Sequence, residues 1–194
     1  MSVMPNKTFI NKLLDQVAQS PLGDFALPSR KLLWNAIAEG KPESTKRLLR
    51  TKLDILCVKH ASFIWSKKFK DIQGISKMLS IALAAANGTI AKAQAINKRD
   101  EFYVEVVEDQ DYEAEDYPTM FVGHAAANTI ATATADFTYD PSDLRGDRDL
   151  DPEAFEPSYL IASAFAGGLD ENGNSDLRRE FWEWYLTCAL KEVI

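Results

Sequence analysis

Only two histidines and two cysteines occur in this chain of 194 residues, and these are the residue types from which most zinc sites are built. His124 has no cysteine, histidine or carboxylate at ligand spacing on its own helix and His60 has Cys57 alone, short of the four ligands a zinc centre needs, so no zinc centre is expected. His124 sits in an alanine-rich stretch without a nucleophile motif nearby, and it reads as a hydrogen-bonded core or boundary histidine rather than a general base. Cys57 and Cys188 cannot make a disulfide framework. Both lie in apolar helical patterns and read as reduced, buried thiols, which fits the cytoplasm. No glycine-rich phosphate loop, dinucleotide fingerprint or nucleophile elbow is present.

Two stretches imitate calcium loops and fail. Asp147, Asp149 and Asp151 alternate, but the sixth place, which needs glycine, is Pro152, and the twelfth, which needs a bidentate glutamate, is Ser158. Counted from Asp170, the same places hold Ser175 and Phe181. No cofactor and no catalysis are expected. The first seven residues lack the apolar run of an export signal. Residues 117–135 carry no charge over nearly the length of a membrane span, but His124, Asn128 and four threonines would lose their water there, so a buried helix is expected.

What the chain has in quantity is acid, placed unevenly. Its net charge of −7 divides into 17 Lys and Arg against 7 Asp and Glu in residues 1–100, and 5 against 22 in residues 101–194. The acid gathers in two segments, Glu101 to Asp116 and Asp136 to Glu156, with eight carboxylates each. Unpaired carboxylates do not leave water, so both segments belong on the surface, where their field repels nucleic acid and speeds the approach of a basic protein. The expected contact residues are Glu105, Glu108, Asp109, Asp111, Glu113, Glu115, Asp116, Asp143, Asp147 and Asp149. The same charge also fits solubilising loops paired with the lysines of the first half, and the sequence leaves both readings open.

Periodicity predicts an all-α chain, one helical domain over residues 1–194. Helices are expected over Thr8–Gln19, from Pro28 to a stop at Gly40, from Pro42 to about Phe69, from Ile75 to Asn87-Gly88, and from a cap at Thr89 toward the first acidic segment. Asp116 and Pro118 open a helix in which Gly123, Ala127, Ala131 and Ala135 recur every four residues. That row of small side chains would let a neighbour approach closely and marks the central helix. An irregular acidic loop comes next, broken by Pro141, Gly146, Pro152 and Pro157. A short buried helix over Ser158–Ala166 and a last one capped at Asn174 or Ser175 then complete a bundle of about seven or eight helices. On the last helix, Leu177, Phe181, Trp184, Tyr185 and Cys188 share one face, and Trp182, Leu186 and Ala189 another, so burial on two sides is expected.

The ending resembles a known family. Asp151–Gly168, with its alanine-rich Gly-Gly close, and the run Arg178-Arg179-Glu180-Phe181-Trp182-Glu183-Trp184 are similar to the C-terminal part of the immunity protein 5 family of bacterial polymorphic toxin systems. Leu27-Pro28-Ser29-Arg30, the stretch Arg50–Trp65 and Met120–Ala126 are similar to it upstream. The continuation Leu190-Lys191-Glu192-Val193-Ile194 departs from the proline-containing sequence expected there. The resemblance implies a mostly helical protein that binds and neutralises a cognate toxin, basic in this reading, with no membrane and no nucleic acid among its partners. A helical adaptor or small-ligand bundle is the alternative. Arg30, Trp34, Trp65, Arg178, Trp182 and Trp184 are assigned to the fold rather than to the partner.

Overall fold

In the computed structural model, which describes residues 6–194, every regular element is a helix. Helix α1 (Lys7–Gln19) opens on the side chain of Asn6, which accepts the Thr8 N–H at 2.8 Å, and it buries Leu13 and Val17. Helix α2 (Leu27–Ala38) carries Pro28 in its first turn, where a missing N–H costs nothing. It stops before Gly40, whose φ of +69° belongs to the left-handed region that glycine adopts without strain.

The long periodic stretch from Pro42 is two helices rather than one. Helix α3 (Glu43–His60) closes at Ala61, and a short α4 (Ser62–Trp65) then turns to a new angle that buries Ile64 and Trp65. Helix α5 (Gln73–Ala86) precedes α6 (Lys92–Tyr103). Thr89 does not cap α6 as expected: its N–H and hydroxyl both donate to the Ala84 carbonyl, so it closes α5 instead. Eight of the described helices run ten residues or more, within the expected range.

Helix α7 (Tyr117–Thr134) is the hub, packed against α3, α4, α5, α6 and α8. Every residue from Phe121 to Ile130 is buried, as a helix enclosed on all sides requires. The small-residue row is half of what its spacing suggests. Gly123 and Ala127 are enclosed, whereas Ala131 and Ala135 reach the surface, because α7 emerges from its neighbours in its last turn. At Gly123 an added Cβ would come within 2.4 Å of Val106 Cγ1 and 2.8 Å of Trp65 Cζ3, so glycine is what permits this approach.

Residues 135–156 form an irregular strap with two short 3₁₀ turns. Helix α8 (Pro157–Ala166) then runs through the core, and Gly167 closes it at φ +82°. Asn174 caps α9 (Ser175–Trp184) by accepting two N–H groups, and the helix passes through a π turn (Tyr185–Ala189) into α10 (Leu190–Val193). The extra residue in that turn re-aims the side chains beyond it. Cys188, expected in the interior, is therefore exposed, while Cys57 is fully buried. Phe181, Trp182, Tyr185, Leu186 and Ala189 are buried, Trp184 is half-buried, and Leu177 is exposed.

Candidate partner-binding surface

The chain leaves α6 through a second π turn, Val104–Glu108, closed by the Asp109 N–H on the Val104 carbonyl at 2.9 Å. Val106 points inward against Gly123, and its neighbours Glu105 and Glu108 therefore face water. This segment is helical because α7 offers it a packing face and no strand partner exists for it among the described residues.

The loop beyond is fastened at two points. Tyr112 is half-buried and donates its hydroxyl to the Val106 carbonyl at 2.5 Å, and burial, with Asp116 nearby, pushes its phenol up to about 12. Lys68 pairs with Asp116 at 2.5 Å and lies over the Tyr112 ring. A 3₁₀ turn, Ala114–Asp116, then feeds directly into α7. On this frame Glu105, Glu108, Asp109, Asp111, Glu113 and Glu115 are all exposed, and none forms an ion pair among the described residues.

The second acidic segment is arranged differently. Asp147 pairs with the fully buried Arg30, Asp143 pairs with Lys31 at 2.8 Å, Asp136 with Arg47 at 2.8 Å, and Glu156 lies 3.7 Å from Arg50. Arg145 and Lys31 together hold the Asp143 carboxyl well below the usual carboxylate range. Asp149 turns back to accept the Gly146 N–H. Of the ten expected contact residues, six thus stand free on the first segment, Asp116, Asp143 and Asp147 are engaged with cations, and Asp149 stabilises its own turn.

Beneath the strap lies a polar seam that the sequence did not single out. Asn128 donates to the carbonyls of Glu153 and Phe155, both at 2.9 Å, and accepts from Arg99 at 2.9 Å. The Arg50 guanidinium lies against the rings of both Trp34 and Phe137, at 4.7 and 4.5 Å, in the corner made by their edge-to-face contact. Asp54 is buried beside it, and burial, reinforced by Glu156 and partly offset by Arg50, raises its carboxyl to about 7. The available signals were a lone acid within the apolar run Leu53-Asp54-Ile55 and a lone amide among the alanines of α7.

His124 is a core histidine. It is buried, faces Asn128 at 3.1 Å and the edge of Tyr103, and burial with Arg99 nearby lowers it to about 4, so the ring is neutral near pH 7. The arginine and tryptophan residues assigned to the fold are there. Trp34 donates to Tyr185, Trp65 to the Asp71 carbonyl, and Arg178 spans the Leu22 and Gly168 carbonyls. Trp184 stacks on His60 at 3.8 Å. Asp24 adds a carboxylate 3.4 Å from the Arg178 Nε. No group of three or more His, Cys, Asp or Glu at metal-binding geometry, and no helix long and apolar enough to cross a membrane, occurs among the described residues.

Residues 10–192 match the family model described as Immunity protein Imm5. No curated protein matches the chain.

Proposed function

Because the chain belongs to the immunity protein Imm5 family, which gives it an immunity role and a toxin partner in general terms, we propose that it neutralises its cognate toxin by occupying a basic face of that toxin with the acidic loop between α6 and α7. The observation that carries this reading is the set of six exposed carboxylates, Glu105, Glu108, Asp109, Asp111, Glu113 and Glu115, without cations of their own and mounted on a loop tied down at Tyr112 and Asp116. A surface whose charge is already balanced gains little from a charged partner, whereas an unbalanced, preorganised one steers association without paying to order itself. In this reading the protein acts without catalysis or cofactor, in the cytoplasm of the toxin-producing cell.

The strap contributes less directly. Asp143 and Asp147, expected as contacts, are proposed to act through the fold, by holding the strap on α2. Asp149 is left as a secondary contact at the edge of the same acidic half. The test is a charge reversal at Asp109, Asp111, Glu113 and Glu115 together, measured against the toxin encoded beside this protein. The association rate should fall at least tenfold and lose most of its dependence on salt, since screening shortens from ~10 Å to ~3 Å between 0.1 and 1 M. The melting temperature should barely move. Unchanged kinetics in a folded variant would place the contact elsewhere.

A further inference from the structure

A groove of about 350 Å³ runs between α3 and α5. Ile55, Ile75 and Leu79 form its floor, and Ile72 and Leu83 stand at its edge, 43% and 38% exposed. Lys59 is the one charged residue lining it, and Lys52 lies seven residues earlier on the same face of α3. Both lysines are exposed, and neither is in an ion pair among the described residues. Ser62, Ser76 and Ser80 complete the lining, so the groove has an apolar floor, hydroxyls beside it and a positive border, and the segment that fits it is part apolar with a negative border.

This chain carries such a segment. The acidic loop is flanked by Val104 and Tyr117, which are 40% and 44% exposed. The first turn of α5 separates the two surfaces: Ile72, Ile75 and Ser76 line the groove, while Gly74 lines a second cleft together with Lys68, Lys70, Glu105, Val106 and Gln110. Groove and loop thus flank the first turn of α5. A two-fold axis beside the start of α5 would set the loop of each copy against the groove of the other, so that both contacts form together in a closed pair.

We propose that a second copy of this chain occupies the groove, its acidic loop set between Lys52 and Lys59, in a symmetric dimer. Desolvation of Ile72, Leu83, Val104 and Tyr117 supplies attraction, and the opposed charges fix the register. The dimer covers the loop assigned above to the toxin, so on that reading a copy is either self-paired or bound to toxin. The pairing itself does not depend on that assignment.

Sedimentation of the full chain tests it. At low salt the mass should rise from one to two copies with concentration, and in molar salt it should return to one. A variant with Lys52→Glu and Lys59→Glu, and a second with Glu105→Lys and Asp109→Lys, should each stay single where the unaltered chain is paired. An equimolar mixture of the two should regain the doubled mass, because each reversed surface then meets its complement. A helical circular dichroism spectrum in both variants separates loss of pairing from loss of fold. An unaltered chain that stays single throughout, variants that pair like it, or a mixture that stays single would each overturn the proposal. No toxin enters the experiment, so these failures leave the toxin-binding reading standing, and the kinetic test above fails without touching the dimer.

Discussion

At Asp54, desolvation and electrostatic pairing act in opposite directions and desolvation prevails. The carboxyl is buried beside Arg50, yet it lies at about 7, and its Oδ2 has no hydrogen-bond partner among the described residues. The Arg50 guanidinium lies 3.7 Å from Glu156 and against the Trp34 and Phe137 rings, and it forms no ion pair with Asp54 among the described residues. A group whose folded value stands above its unfolded value of 3.8 holds its proton more tightly in the folded state. Stability from this source is present below the unfolded value and is lost as pH rises through 7. At about 1.4 kcal/mol per unit of separation, the loss is a few kcal/mol at pH 8. Asp54→Asn, which keeps the shape and removes the charge, should therefore be more stable than the parent at pH 8 and should flatten the slope between pH 4 and 7. Urea titrations at pH 5 and pH 8 decide it, and a variant destabilised equally at both would mean that the ionised carboxylate is needed.

Among the elements, α7 was the most legible in the sequence and also shows where periodicity stops being informative. Asp116, Pro118 and the uncharged run announced a buried central helix, and Phe121–Ile130 are enclosed as that predicts. Which small residues would meet a neighbour was not legible, since that depends on where the other helices end. The two π turns were equally hidden. An inserted residue leaves no local signature, yet it sends Cys188 outward on the last helix and sets Glu105 and Glu108 facing water on the other. The contact of Gly123 with Val106 joins the hub to the acidic loop, and it makes a definite prediction. Alanine is the better helix former by roughly 0.8–1 kcal/mol, but its Cβ would overlap Val106 and the Trp65 ring. Overpacking of this kind costs about 1–3 kcal/mol and should win. Gly123→Ala should unfold at lower urea with an unchanged slope; a gain in stability would mean the three residues are not in contact.

For the molecule as a whole, the uneven charge of the two halves is partly resolved inside the fold. The strap takes Asp136, Asp143, Asp147 and Glu156 to arginines and lysines of α2 and α3, which lie about a hundred residues earlier in the chain. Composition revealed the imbalance but not its partners, because no local pattern marks which carboxylate will meet which cation; that is why Asp143 and Asp147 were indistinguishable in the sequence from Asp109 and Asp111. The clamps differ in strength. In Arg47–Asp136 the carboxylate is 66% exposed, so water competes for it and the pair is worth about 0–1 kcal/mol. Arg30 is fully buried, and removing its partner would strand a guanidinium whose Nε and Nη1 already lack hydrogen-bond partners among the described residues, at a cost of about 3–5 kcal/mol. Asp147→Ala should therefore loosen the strap first. Hydrogen exchange should accelerate in the amides of residues 138–150, while Phe121–Ile130 of α7 and the buried turns of α8 keep their protection, because Asn128 still holds the far end of the strap at Glu153 and Phe155. If α7 loses protection in step with the strap, the strap does not open as a separate unit, and the Arg30–Asp147 pair secures the whole core rather than its cover.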